Sequence, residues 1–156
     1  MLSRVSRSAL AMLLALTVCP AFAEDAQATD ALYAAKARWA AANLSTYSFV
    51  VSYSCFCFGL DIRTPARITV RNDKIQHARY ISSVPGHAFG RVSRVSPLRV
   101  TVTDLFSMIE DSLKNDSELI IAKYDDVLGF PLRLAIDSSP GMSDSDFAYD
   151  VAGFRR

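Results

Sequence analysis

Hydrophobic and polar positions alternate most clearly over residues 47–58. The odd positions from Tyr47 to Cys57 are aromatic, branched or cysteine, whereas the even positions begin with three serines interrupted by one valine. A period of two places successive side chains on opposite faces of a β-strand. We therefore predict a half-buried strand here, with its odd positions facing the core.

Five shorter segments also have the composition of strands. Residues 66–70 and 75–82 flank Asn72 and Asp73, which both tolerate the positive φ that a tight hairpin turn requires. Each of the remaining three is rich in branched or aromatic residues. These three segments are 119–124, 132–136 and 147–154.

Two segments have helical patterns instead. Residues 32–44 are rich in alanine, and Leu32, Ala35 and Trp39 share one side, so we expect Trp39 to anchor this helix. Residues 101–115 place apolar side chains three and four positions apart, after threonines suited to capping. The resulting order is α-βββ-α-βββ. It predicts an α+β fold, with an antiparallel sheet of about five or six strands and two helices packed on one face.

The start of the chain has the three zones of an export signal. Arg4 and Arg7 are followed by an apolar run and then by the small-x-small pattern of residues 21–23. We predict that residues 1–23 form a signal peptide cleaved after Ala23. The mature protein would then be periplasmic or secreted.

The rest of the chain has the length of one domain. Residues 24–30 are polar and alanine-rich, so we expect a mobile start before a single domain over residues 31–156. An alternative is lipoprotein processing at Cys19, which the bulky Val18 before it disfavours. After the signal we find no apolar run of the about 20 residues that a transmembrane helix requires.

Charges are unevenly distributed along the sequence. Residues 63–99 contain eight basic residues and one acidic residue, whereas residues 104–150 contain eleven acidic and three basic residues. We expect the two regions to neutralise each other across the fold; a basic binding face is the alternative. The predicted mature chain keeps 15 of the 17 basic residues and all 16 acidic residues, so its near-neutral balance predicts no nucleic acid partner.

Cys55 and Cys57 are the two cysteines that follow the predicted cleavage site. Exported proteins usually pair their cysteines, but side chains two apart in a regular strand point the same way. A disulfide between them therefore requires the strand to bend or end there. Two alternatives stay open. The cysteines could be reduced and buried, or they could form a thiol site for redox exchange or for a soft metal such as copper.

The connection between the fourth and fifth predicted strands has turn chemistry. Gly129 can supply positive φ, Asp125 can accept backbone N–H groups, and Pro131 fits at the edge of the next strand. We expect a structured hairpin corner. The alternative is a loop that contacts a partner through its two aromatic residues, Tyr124 and Phe130.

Several aspartates surround a Pro-Gly turn near the C-terminus. Asp137, Asp144 and Asp146 could hold Ca²⁺ if they converged, although their spacing does not fit the common calcium-binding loop. A solvated acidic turn is the default interpretation. The sequence has none of the common hydrolase or phosphate-binding motifs, so we expect no cofactor and lean against an enzyme.

Short motifs follow one another in a recognisable order through the predicted domain. They are Trp39 before Tyr47-Ser48-Phe49, Cys55-Phe56-Cys57, Ile68-Thr69-Val70 with Asn72-Asp73, Thr103-Asp104-Leu105-Phe106, Tyr124-Asp125 with Gly129-Phe130-Pro131, and Ile136-Asp137. In this order they resemble the family of small exported bacterial proteins known as domain of unknown function 6174. The resemblance covers about residues 39–154. It implies export and a single domain, and it implies no reaction.

A non-enzymatic binding or envelope-accessory module is the function we predict. Its partner would be an envelope protein or a small ligand, bound through one sheet face or through the loops at residues 83–99 and 124–131. The alternative function is a thiol site that uses Cys55 and Cys57.

Overall fold

The computed structural model describes residues 20–55, 64–81, 90–114, 118–137 and 146–156. Two helices and six strands follow one another in the predicted order α-βββ-α-βββ. They are α1 (Pro20–Ala42), β1 (Thr46–Cys55), β2 (Ala66–Arg71), β3 (Lys74–Tyr80), α2 (Val102–Lys114), β4 (Glu118–Tyr124), β5 (Pro131–Asp137) and β6 (Asp146–Arg155).

All six strands form one antiparallel sheet in the order β3-β2-β1-β6-β5-β4. Each half of the chain contributes three neighbouring strands, and β1 pairs with β6 where the two halves meet. The predicted α+β fold is confirmed. The order also separates the first three strands from β4 and β5, which matters for the charges described below.

The core lies on one face of this sheet. Tyr47, Phe49 and Val51 of β1 are 3%, 0% and 0% exposed, which confirms that the odd positions face inward. Both helices pack on this face, α1 through Leu32 and Ala35, and α2 through a stripe of apolar side chains. The buried residues of that stripe are Val102, Leu105, Phe106 and Ile109.

Trp39 anchors α1 to the sheet, as predicted. Its ring meets Tyr47, Phe154 and Phe130 edge-on, with centroids 5.1, 5.9 and 6.4 Å away. Phe130 and Phe154 stack on each other at 4.4 Å. Aromatic pairs of this kind each contribute about 0.5–1.5 kcal/mol beyond the burial of their area. The cluster therefore connects α1 to β1, to β6 and to the loop before β5.

Helix α1 begins earlier than the sequence pattern suggested. It starts at Pro20, so residues 24–30, which we expected to be mobile, are helical. Alanine recurs through this stretch and neither glycine nor proline interrupts it, so helix propensity stays high. Within the described residues, no helix combines the length and the apolar character needed to span a membrane.

Helix α2 starts with a capping box that fixes its position on the sheet. Thr101 Oγ1 accepts a hydrogen bond from the Asp104 N–H (3.1 Å), and Asp104 Oδ2 accepts one from the Thr101 N–H (2.7 Å). Within the same first turn, Thr103 Oγ1 donates to Asp73 Oδ1 (2.8 Å) in the β2–β3 turn. Asn72 and Asp73 have φ of 49° and 56°, as the predicted tight turn requires.

Candidate functional site

The segment that precedes α2 runs along the outer edge of β3. The Val92 N–H donates to the Ala78 carbonyl (3.0 Å), and the Tyr80 N–H donates to the Gly90 carbonyl (3.3 Å). These two bonds frame an antiparallel bridge between Arg79 and Arg91. The edge of β3 is thus partly covered here, and the two side chains of the bridge lie directly opposite each other.

Apolar side chains hold this segment in place. Val92, Leu98 and Val100 are 3%, 0% and 4% exposed, so the segment is pinned into the core at three points. The Tyr149 hydroxyl also donates to the Pro97 carbonyl (3.0 Å). Because the segment is fixed by burial and by backbone hydrogen bonds, the charged residues between these anchors have defined positions.

Three arginines form a row across β2, β3 and the covering segment. Arg67 of β2 lies opposite Arg79 of β3 in the sheet register, and Arg79 lies opposite Arg91 across the bridge. Residues directly opposite in an antiparallel pair share one face, with Cβ atoms about 5 Å apart. Ala66 and Ala78, their sequence neighbours, are buried in the core. The three arginines, which we call the arginine row, therefore lie on the sheet face away from the helices.

A cleft of about 520 Å³ opens beside this row, between β3 and the covering segment. Arg94 and Arg99 line it together with Arg79 and Arg91, and none of the described residues on its wall is acidic. His77 and Ser93 also lie on its wall. The volume is within the range of sites that bind small molecules, roughly 300–1,000 Å³.

The positive charges of this region have no carboxylate partners within the described residues. The salt bridges among the described residues are Lys36–Glu110 (2.7 Å), Lys114–Glu110 (3.0 Å) and Arg133–Asp150 (2.9 Å). None of them includes a residue of 63–99. Among the described residues, no salt bridge joins the basic region to the acidic region.

Sheet order explains why the charges stay apart. The basic strands β2 and β3 lie at one end of the sheet, and α2 runs from its contact with the β2–β3 turn at Asp73 to β4 and β5 at the other end. Neighbouring strands are about 4.8 Å apart, so β3 and β4 are separated by roughly 24 Å. Since the Debye length is about 8 Å at physiological ionic strength, acidic residues near β4 cannot offset the arginine row.

Arg67 also carries an unmet hydrogen-bonding group. Its Nη1 is buried and has no hydrogen-bond partner in the described structure. A guanidinium group is permanently charged at physiological pH, and its fork of N–H donors matches carboxylate and phosphate oxygens. An oxyanion bound beside Arg67 and Arg79 would reduce the repulsion between their guanidinium groups.

Of the two cysteines singled out from the sequence, the structure describes one. Cys55 ends β1 opposite Phe147 of β6 and is partly buried. Cys57 lies outside the described residues. The relation between the two sulfur atoms therefore stays a prediction.

The loop between β4 and β5 has the turn chemistry that its sequence indicates. Asp125 Oδ1 accepts hydrogen bonds from the N–H groups of Val127 (3.0 Å) and Leu128 (2.6 Å), and Gly129 has a φ of 81°. Phe130 is 4% exposed because its ring packs in the Trp39 cluster. The structure thus places the Phe130 ring in the core.

The two residues that frame this loop are also held by packing. Pro131 is fully buried, and the Tyr124 ring stacks on Phe106 with centroids 6.4 Å apart. The exposed apolar residue at the loop tip is Val127, at 76%. A partner role for this loop stays a prediction.

The aspartates proposed for Ca²⁺ are described only in part. Asp137 and Asp146 lie opposite each other in the β5–β6 pair, and Asp144 lies outside the described residues. Among the described residues, no group of three or more histidine, cysteine or acidic side chains could hold a metal ion.

Several buried tyrosines have perturbed acidities. Burial raises the pKa of Tyr47 and of Tyr124 to about 12, and burial also raises the pKa of Tyr149. Their hydroxyls therefore stay protonated at neutral pH. Those of Tyr47 and Tyr149 bond to backbone groups, the Val102 N–H and the Pro97 carbonyl, which indicates a structural role.

Comparisons with known proteins give one match. No curated protein and no solved structure gives a match to this chain. A family of unknown function, DUF6174, matches residues 31–156, which include the whole sheet and α2. The match confirms the resemblance inferred from the order of the motifs. The chain therefore belongs to the DUF6174 family.

Proposed function

We propose that this protein is an exported, non-enzymatic binding module whose ligand is an anion held by the arginine row. One observation carries the proposal: Arg67, Arg79 and Arg91 stand directly opposite one another, with no carboxylate partner in the described structure. Export is supported by the charge, apolar run and small-residue pattern at the N-terminus.

Such a row is unfavourable unless a ligand compensates it. Like charges directly opposite on neighbouring strands destabilise a sheet. Two unit charges about 6 Å apart repel by roughly 1–3 kcal/mol for effective dielectric constants between about 80 and 20. The repulsion within the arginine row lowers the free energy of unfolding. Binding of an anion is the simplest physical reason for the protein to keep such a row.

The lining of the cleft favours binding over catalysis. Guanidinium groups keep their charge across the physiological range and do not exchange protons with a substrate at neutral pH. They do bind and orient anions. Because the covering segment is anchored in the core, the site exists before the ligand arrives, which lowers the entropic cost of binding.

Calorimetric titration of the purified chain with inorganic phosphate, sulfate and citrate at low ionic strength tests this proposal. We expect measurable binding that weakens as salt is added. Arg79→Gln should weaken it by about tenfold or more, since a hydrogen bond to a charged group contributes about 1.5–3 kcal/mol. Arg71→Gln is the matched control, because Arg71 lies on the same strand pair outside the row. Equal losses in both variants would mean diffuse charge, and would contradict the proposed site.

Export and the state of the cysteines can be measured together. The intact mass of the protein recovered from its producing cells should correspond to cleavage after Ala23. It should also be lower by two hydrogens if Cys55 and Cys57 form a disulfide. A full-length mass from the cytoplasm would contradict export, and alkylation of both cysteines without reductant would contradict the disulfide.

A further inference from the structure

We infer that the anion is a ligand with two phosphate groups, one held between Arg67 and Arg79 and the other by Arg91 with the arginines of the cleft. This inference rests on the proposed anion site and specifies its chemistry. It follows from the spacing of the guanidinium groups and from the number of acceptors that each kind of anion offers.

Spacing points to more than one anionic group. The row crosses two strand intervals, so its ends are about 10 Å apart. A single small oxyanion can contact two neighbouring arginines but cannot satisfy all three together with Arg94 and Arg99. The site therefore has two adjoining subsites. Arg67 and Arg79 form the first, and Arg91 with the arginines of the cleft forms the second.

Acceptor geometry favours phosphate over carboxylate. A carboxylate is planar, and its two oxygens are matched by one guanidinium fork. A phosphate monoester carries about −1.5 to −2 charges and three acceptor oxygens, so two forks can bind it from different directions. Arg67 and Arg79 lie opposite each other on β2 and β3, so the pair provides two such forks.

Calorimetry with the purified full chain separates these possibilities. Diphosphate should bind at least about tenfold more tightly than inorganic phosphate, and at least about tenfold more tightly than citrate, at equal ionic strength. Arg91→Gln should weaken diphosphate binding more than phosphate binding, so that the preference for diphosphate over phosphate falls by about tenfold. Arg79→Gln should weaken both ligands, and Arg71→Gln should change neither.

A charge-preserving variant keeps the test independent of folding. Arg79→Lys retains the positive charge but loses the planar fork, so we expect the preference for diphosphate over citrate to fall by about fivefold or more. Thermal unfolding of each variant, followed by circular dichroism, confirms that the chain is folded. An unchanged preference in Arg79→Lys would overturn the assignment of phosphate to the fork.

A second experiment distinguishes phosphates on membrane lipids from phosphates on a dissolved ligand. Vesicles that contain phosphatidic acid present one phosphate on each headgroup, so two neighbouring headgroups at a membrane surface could fill the two subsites. Retention of the chain on these vesicles, displaced by diphosphate, assigns the site to lipid headgroups; diphosphate binding without retention assigns it to a dissolved ligand. Both results support the inference.

Three results would contradict the phosphate assignment, the second subsite or the anion site itself. Citrate binding as tightly as diphosphate refutes the phosphate assignment and leaves the anion site in place. Equal affinities for phosphate and diphosphate refute the second subsite. Absence of binding to every anion at low ionic strength refutes the proposed function itself.

Discussion

Replacing Gly129 with alanine tests how the β4–β5 loop docks on helix α1. A β-carbon built on Gly129 would overlap the Ala35 carbonyl oxygen and lie 2.9 Å from the Arg38 Cβ. Gly129 also has a φ of 81°, which L-residues rarely adopt. Gly153 is a matched control, because it has a φ of 56° but its β-carbon would meet only Val50 Cγ2, at 3.7 Å.

The two substitutions share one cost and differ in another. A left-handed conformation costs an L-residue about 1–2 kcal/mol, and both variants bear it. Carbon atoms pack at about 3.5–4.0 Å, so in Gly129→Ala the loop or the helix must move by roughly 1 Å. Overpacking of this kind costs about 1–3 kcal/mol more. We therefore expect a loss of about 2–5 kcal/mol for Gly129→Ala and about 1–2 kcal/mol for Gly153→Ala.

Urea unfolding monitored by tryptophan fluorescence suits this comparison, because Trp39 lies in the cluster that the loop completes. The difference between the two variants in free energy of unfolding is the quantity of interest. If Gly129→Ala is no less stable than Gly153→Ala, the loop does not approach the helix as described, and the explanation of this motif fails.

Three further predictions follow from the charges and caps. Arg79→Gln should raise the unfolding free energy in low salt by about 0.5–1 kcal/mol in urea titrations, and the gain should shrink in high salt as repulsion is screened. Because burial raises the pKa of Tyr47 and Tyr124 to about 12, the unfolded chain loses these protons first. Stability should therefore be fully present below about pH 10 and should fall by about 2–5 kcal/mol as the pH rises towards 12, measured by alkaline denaturation. Thr101→Ala should cost about 1 kcal/mol in urea unfolding by removing the cap of α2, whereas Ser107→Ala, which leaves the capping box intact, should cost less.

Secondary structure was predictable because the periodicity of this sequence is strong. Alternation in β1 and the three-four spacing in α2 each place apolar side chains on one face, and the structure uses both faces as expected. The N-terminal limit of α1 is harder to predict, because residues 24–30 are polar and yet retain high helix propensity. Composition is a weaker guide than periodicity at such ends.

The arginine row could not be predicted from the sequence, because a single β-bulge determines which residue of β3 lies opposite Arg67. Counting back from the turn, with Arg71 opposite Lys74, would pair Arg67 with Ala78. The register shifts between Thr69 and Val70, so Arg67 lies opposite Arg79 instead. A shift of one residue moves a side chain to the other face of the sheet. Without the bulge Arg79 would point into the core, and the sequence alone does not reveal a bulge.

Separation of the two charged regions was missed for a related reason. A count of charges along the chain says which residues could pair, but strand order decides which ones meet. Here β1 and β6 stand between the basic strands and β5, so opposite charges that balance in the sequence stay apart in space. The concentration of basic residues over 63–99 was the available signal.

Nuclear magnetic resonance titration with diphosphate is the most direct test of the anion site, because it reports where the ligand lies. The side-chain Nε–H signals of Arg67, Arg79 and Arg91 should shift in proportion to bound ligand, and that of Arg133, at the far side of the sheet, should stay in place. Uniform small shifts of all arginines, or changes confined to other parts of the surface, would contradict the account.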